Sequence, residues 1–165
     1  MGAPGARRDL HAAEWLADGS YRIRPDARRF ESWETNCATK IGLGVAIDYA
    51  LDWGLENIRQ RLVVFAHELR SRLGELAGVS VHDAGREQCA IVTFTIDGTS
   101  AVTVARRLKA SDMNVSVSLA EYSRLDLGAR HLEAVVRASP HSYNDQSELD
   151  RFVAAVIAVR DGAHA

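Results

Sequence analysis

The spacing of apolar residues predicts two successive helices in the first half of the chain. Apolar residues recur at four-residue steps from Ile41 to Trp53, which is typical of one face of a helix. Gly54 follows and is expected to interrupt that helix. A second, longer apolar stripe ends at Leu76, just before Gly78, where a C-terminal cap residue usually lies.

After the second helix the pattern changes to alternation, which is typical of strands. The predicted elements are strands at 79–82 and 89–96, a helix at 99–111, strands at 113–119 and 133–139 with a polar loop between them, and a closing helix. Thr99 or Ser100 is expected to cap the first of these helices, and Asn144 or Asp145 the second. Asp145 and Glu148 have the spacing of a capping box. Short strands with helices over one face predict an α+β two-layer domain with a mainly antiparallel sheet.

The same patterns divide the chain into three regions. Residues 1–29 are rich in arginine, glycine and aspartate with weak periodicity, and are expected to form an extended arm. Residues 30–54 are expected to form a connecting helix region. Residues 55–165 are expected to form the small α+β domain.

Composition limits the classes of function. The chain is 47% hydrophobic and 25% charged, with a net charge of -2, which is ordinary for a soluble globular protein and gives no sign of a nucleic-acid partner. No apolar run is long enough to span a membrane, and the N-terminus lacks the apolar region of a secretory signal. Cys37 and Cys89 show neither metal-binding spacing nor CxxC, which favours a reduced, cytoplasmic protein. Cys89 is expected to be a small buried residue.

The sequence contains no self-sufficient catalytic motif. Phosphate-binding glycine loops, HExxH and GxSxG are all absent. His82 and His141 are interpreted as structural residues, and Lys40 and Lys109 are the chain's two lysines. We therefore predict no catalytic residue and no metal ligand.

Arg137 is unusual because it lies within a predicted strand. Alternation places Val135 and Arg137 on one face, and Val136 and Ala138 on the other. A guanidinium beside core residues keeps its proton and needs an anion. Two partners are open: an internal carboxylate or solvent at a sheet edge, or the carboxylate of a ligand bound through two parallel hydrogen bonds.

The residues around Arg137 resemble a known family. "VVRASPHSYNDQSELDRFV" (135–153) is similar to the C-terminal signature of class V pyridoxal-phosphate-dependent aminotransferases, which include cysteine desulfurases, selenocysteine lyases and isopenicillin epimerase-like proteins. "RPDARRFESWETN" (24–36) and "IGLGVAIDYALDWG" (41–54) resemble the segment that follows the cofactor lysine in that family. The resemblance covers about residues 9–160 and implies the small domain of these enzymes.

The resemblance also implies roles for individual residues. Arg137 matches the arginine that binds the α-carboxylate of an amino or keto acid. Thr35 and Asn36 are weaker candidates for contact with the cofactor phosphate, across a homodimer. Trp33 and Glu34 stand where many members have Gly-Thr, and a carboxylate would repel phosphate, so Glu34 is given no such role.

A second set of matched residues is expected to have an architectural role. His141, Tyr143 and Asn144 match the motif and are expected to fix the corner between the last strand and the closing helix.

The chain departs from the family pattern at two positions. The family's Schiff-base lysine lies upstream of "RRFE", and no lysine precedes that segment here. We expect pyridoxal phosphate to belong to the parent enzyme, without a covalent bond to this chain, which would be inactive alone. The segment 118–133, where cysteine desulfurases have a nucleophilic cysteine, contains none, which disfavours that reaction.

Three interpretations therefore stay open. The leading one is a C-terminal domain that acts in a homodimer or with a separate large pyridoxal-phosphate domain. The alternatives are a non-catalytic dimerisation or interaction module that uses the 41–53 stripe, and a gene fragment without a selected function.

Overall fold

A computed structural model describes residues 12–30 and 35–162. The chain divides into two compact units, with the boundary between Asp52 and Trp53. The helices are α1 (Cys37–Trp53), α2 (Leu55–Gly74), α3 (Ala101–Ala110) and α4 (Gln146–Asp161), and the strands are β1 (Ala13–Trp15), β2 (Tyr21–Ile23), β3 (Val79–Val81), β4 (Val92–Ile96), β5 (Ser116–Leu119) and β6 (Ala134–Ala138). Residues 1–11 of the predicted arm lie outside the described residues.

The first unit contains a small hairpin that the sequence analysis did not predict. β1 and β2 pair antiparallel, with Trp15 opposite Tyr21. Asp18 fixes the turn, because its Oδ1 accepts hydrogen bonds from both the backbone N and the hydroxyl of Ser20. Each strand has three residues and no buried side chain, so neither shows the alternating burial that periodicity detects.

Helix α1 follows in the first unit and confirms the predicted helix. Asn36 precedes it, and its Oδ1 accepts a hydrogen bond from Thr39 N at 3.0 Å, as an N-cap residue does. The helix is rich in apolar residues, yet none of its side chains is buried.

The second unit is built on a four-stranded sheet in the order β3-β4-β6-β5. All three neighbouring pairs are antiparallel. Helices α2, α3 and α4 pack against one face of this sheet. The predicted α+β two-layer fold, with helices on one face of a mainly antiparallel sheet, is confirmed.

The hydrophobic core lies between that sheet face and the three helices. The fully buried side chains with the largest volumes are those of Phe94, Leu69, Leu73, Leu108, Val92, Val104, Val135, Val136 and Val156. All of these except Val135 belong to the single core cluster, so β4 and β6 direct alternate residues towards the helices.

The predicted N-terminal caps of α3 and α4 are confirmed, whereas the predicted C-terminal cap at Gly78 was wrong, because α2 ends at Gly74 and Glu75 is its C-terminal cap residue. The Ser100 hydroxyl accepts from Thr103 N at the start of α3. Asp145 and Glu148 form both halves of a capping box at the start of α4. The sequence therefore specifies both helix starts correctly.

The start of β4 differs from the prediction. The strand begins at Val92 rather than at residue 89, and Cys89 is exposed, so the expectation that it is buried was wrong. The physical reason lies in Arg70 of α2, whose Nη2 donates to the carbonyls of Cys89 and Ile91 at 2.6 and 2.9 Å. These carbonyls bind a side chain instead of a neighbouring strand.

Candidate functional site

The sheet face opposite the core carries a row of polar side chains on β4, β6 and β5, which continues just past the end of β3. Thr93 of β4 lies opposite Arg137 of β6, which lies opposite Ser116 of β5. His82, directly after β3, extends the row, because its backbone N donates to Thr93 O. Directly opposed residues share a face. We call this surface the open face, defined by His82, Thr93, Arg137 and Ser116.

Arg137 is the exposed cation at the centre of the open face. The two residues before and after it in β6, Val136 and Ala138, are buried in the core, as the alternation predicted. Within residues 12–30 and 35–162, the Arg137 guanidinium forms neither a hydrogen bond nor an ion pair. No internal carboxylate therefore pairs with Arg137 in the described part of the chain, and solvent or the carboxylate of a ligand stays open as its partner.

A largely buried ion pair, between Arg70 and Asp83, lies beside the open face. Asp83 Oδ2 accepts from Arg70 Nε at 2.6 Å, and the two side chains are only 9% and 11% exposed. Asp83 Oδ1 accepts from Thr93 N at 2.8 Å and from the Thr93 hydroxyl at 2.5 Å. No sequence motif marks this cluster, because thirteen positions and a turn separate the two charges along the chain.

His82 has a defined partner on the open face. Its Nε2 lies 2.8 Å from the Thr95 hydroxyl, and its carbonyl accepts from Arg130 Nη1 at 2.6 Å. Burial, and then the positive charge of Arg130, lower the pKa of His82. The imidazole is therefore neutral near neutral pH, and its hydrogen bond favours the predicted structural role.

The corner between β6 and α4 is fixed by Asn144. Its Oδ1 accepts from His141 N at 2.7 Å, and its Nδ2 donates to Glu148 Oε2 at 3.0 Å. Its carbonyl accepts from Arg61 Nη2 at 2.9 Å. The Tyr143 ring stacks on His141 at 4.4 Å. These contacts hold the end of the strand that carries Arg137.

A cavity of about 300 Å³ opens on the helix side of the same corner. Phe65, Leu69 and Phe152 provide apolar walls, and Asp112 and Asn114 lie at its polar part. Arg137 is not among its lining residues, so this cavity and the open face are different surfaces of the second unit.

The structure describes two of the four residues that were considered as contacts for the cofactor phosphate. Trp33 and Glu34 lie outside the described residues, whereas Thr35 and Asn36 are exposed. Lys40 and Lys109 are exposed on α1 and α3, whereas a lysine that forms a Schiff base lies in an enclosed, desolvated pocket. The described residues therefore do not fit a covalently held pyridoxal phosphate.

Across the part of the chain that the structure describes, no three His, Cys, Asp or Glu side chains come together as metal ligands. No helix in that part has the length and apolar character needed to cross a bilayer.

Comparison with known proteins gives consistent matches. A probable cysteine desulfurase of Xylella fastidiosa (strain 9a5c) is 31% identical over 133 residues, which are 80% of this chain and 32% of that protein. A probable hercynylcysteine sulfoxide lyase of Mycobacterium tuberculosis is 32% identical over 154 residues, 92% of this chain and 37% of that protein. The chain thus spans about a third of the length of these relatives.

Solved structures share the fold. The Escherichia coli cysteine desulfurase CsdA matches with a TM-score of 0.77 at 16% identity, over 94% of this chain and 38% of that one. In another neighbour, a C-DES mutant matched with a TM-score of 0.65 at 18% identity over 90% of this chain and 36% of that one, glycine is covalently linked to the pyridoxal-phosphate cofactor. The family uses this cofactor, as the resemblance implied. The aminotransferase class-V model matches residues 16–152, and the chain belongs to that family.

Proposed function

We propose that this chain forms the small domain of a class V pyridoxal-phosphate enzyme and binds the α-carboxylate of an amino or keto acid through Arg137. The observation that supports this role is the exposed guanidinium at the centre of the open face, without an internal anion among the described residues. A planar guanidinium binds a carboxylate through two parallel hydrogen bonds.

The neighbours of Arg137 differ in what they offer a ligand. The Thr93 hydroxyl donates to Asp83, so it has no proton left for a substrate. The Ser116 hydroxyl has no partner among the described residues, and is available as a neutral donor beside the guanidinium. A carboxylate bound here would therefore have one oxygen near Ser116, which orients the substrate.

The cofactor, when bound, supplies the electron sink, and we propose that a large domain holds it. Thr35 and Asn36 would approach its phosphate across a homodimer. Asn36 Oδ1 is committed to Thr39 N, which leaves the Asn36 amide and the Thr35 hydroxyl as donors. We also propose that the arm ends at residue 29, that the connecting helix region spans residues 30–54 and that the small domain begins at residue 55.

The residues also limit the reaction that we propose. Segment 118–133 contains no cysteine, and the chain's two cysteines lie at 37 and 89. A thiolate is the group that receives sulfur in persulfide chemistry. We therefore propose an amino- or keto-acid reaction that does not use a cysteine of that segment.

A second candidate is a non-catalytic interaction module built on α1. Ile41, Leu43, Val45 and Ile47 of this helix are all at least half exposed, and exposed apolar surface of this extent is typical of an interface. Light scattering after size exclusion tests this candidate, because a monomer at all concentrations would contradict it.

Carboxylate binding is tested by NMR titration of the purified chain with pyruvate. We expect the amide signals of Thr93, Ser116 and Arg137 to shift with a dissociation constant of about 1 mM, which corresponds to a binding free energy of about -4 kcal/mol. Arg137→Gln should abolish these shifts, whereas Arg106→Gln, which removes an exposed arginine of α3, should not. Equal shifts with neutral lactamide, or shifts that survive Arg137→Gln, would contradict the proposed function.

A further inference from the structure

We propose that Arg70 is a positioning residue that keeps Arg137 available for a carboxylate by neutralising Asp83. This inference rests on the proposed function, because it assigns a role towards the arginine that binds substrate. Arg70 itself does not belong to the open face, and it touches neither substrate nor cofactor in the proposal.

Asp83 is the carboxylate that could form an ion pair with Arg137. Its Oδ1 lies 2.5 Å from the Thr93 hydroxyl, and Thr93 is the residue directly opposite Arg137. Opposed residues have Cβ atoms about 5 Å apart, which is less than the length of an extended arginine side chain. An uncompensated carboxylate at this position would attract the guanidinium across β4.

Arg70 prevents that pairing through three hydrogen bonds. Its Nε donates to Asp83 Oδ2 at 2.6 Å, and its Nη2 donates to the carbonyls of Cys89 and Ile91. The two carbonyls hold the Arg70 guanidinium at the loop before β4. The hydrogen bond from Arg70 Nε then holds the Asp83 carboxylate there. Because both charges are almost buried, they are screened little by solvent and attract each other strongly.

The charge of Arg70 is separable from its hydrogen bond to Asp83. The amide nitrogen of a glutamine at position 70 would lie near the place of Arg70 Nε and could still donate to Asp83, and an amide at position 83 could still accept from Thr93. A purely structural pair would affect folding alone. A pair that positions Arg137 also changes how the Arg137 guanidinium reacts, and that change should disappear when Asp83 loses its charge.

The test measures the reaction of Arg137 with phenylglyoxal, without added carboxylate, by mass spectrometry of the peptide that contains it. In Arg70→Gln we expect the rate at Arg137 to fall by about fivefold, the size of a good exposed ion pair. Asp83→Asn alone and Arg70→Gln/Asp83→Asn should both react at the original rate. Arg72→Gln is the matched control, because Arg72 pairs with Asp150 on the exposed side of α2.

An unchanged rate in folded Arg70→Gln, or a slow rate that persists in the double variant, would overturn the proposal. If Arg70→Gln does not fold, Arg70→Lys keeps a cation but loses the fork. It should slow the reaction by a smaller factor, reversed by Asp83→Asn, and an unchanged rate there would be equally decisive against the role of Arg70. Protection of Arg137 from phenylglyoxal by pyruvate is measured separately and tests carboxylate binding. A failure of the proposed function can therefore be told apart from a failure of the role of Arg70.

Discussion

Val136 and Arg137 are consecutive residues of β6, and they lie on opposite faces of the sheet. Val136 is fully buried in the core, whereas Arg137 is exposed beside Thr93 and Ser116. One strand therefore supplies both packing and the cation of the candidate site. A substitution of Val136 should therefore change the packing of the core, and a substitution of Arg137 should change the charge of the candidate site.

Arg137→Gln should leave the stability of the fold nearly unchanged. The side chain is exposed and has no partner among the described residues, so the free energy of unfolding should change by less than about 0.5 kcal/mol. Val136→Ala should lower it by about 2 kcal/mol, because it removes buried methyl groups and leaves a cavity. Urea denaturation compares the two. A large loss in Arg137→Gln would mean that the arginine has a structural partner.

Phe94→Ala should be among the most destabilising single changes in the second unit. Phe94 is fully buried, and its ring meets that of Phe152 edge-on at 6.3 Å. Removal of such a ring costs about 3–5 kcal/mol. Val102→Ala, on the exposed side of α3, is the control and should cost far less. Similar urea midpoints for the two variants would contradict the burial of Phe94 in the core.

His82 should make the fold less stable as the pH falls below about 6.5. Its pKa is lowered from the ordinary value of 6.5 by burial and by Arg130, so the unfolded chain takes up this proton before the folded chain does. The stabilisation is therefore complete above pH 6.5 and is lost as the pH falls through the lower folded pKa. Melting temperatures between pH 5 and 8 should vary less in His82→Gln than in His67→Gln, which changes an exposed histidine. Identical profiles would argue against this contribution.

The capping box of α4 should lose its effect in acid. Hydrogen bonds from the Ser147 hydroxyl and the Glu148 backbone lower the pKa of Asp145, and those from Asn144 and the Asp145 backbone lower the pKa of Glu148. Both carboxylates thus stabilise the fold above their unfolded pKa values, and this contribution is lost as the pH falls through the folded values. Asp145→Ala should lower the melting temperature at pH 7 more than at pH 3. An equal decrease at both values would contradict the role of the charge.

Some parts of the fold follow from local sequence signals. The capping roles of Ser100 and Asp145 depend on residues three positions further along the chain. The alternation of apolar residues around Arg137 correctly predicts the sheet face on which its side chain lies. Such signals depend on contacts that are close in sequence, so a pattern of a few residues contains them.

Other parts depend on contacts that no local pattern contains. Arg70 and Asp83 meet only because α2 packs beside the end of β3, and that same arginine takes the carbonyls of Cys89 and Ile91 away from β4. The late start of β4 and the exposure of Cys89 are consequences of this long-range contact.

The strand order β3-β4-β6-β5 determines when this domain can fold during its synthesis. β4 is an inner strand, yet its second neighbour, β6, emerges from the ribosome only after α3 and β5. Until Ala138 emerges, Val92 and Phe94 lack the strand beside them and the helix α4 above them. The nascent chain therefore displays an unpaired strand edge and apolar surface, the features that chaperones recognise and that promote aggregation. A chain that stops before β6 would keep that exposed edge permanently.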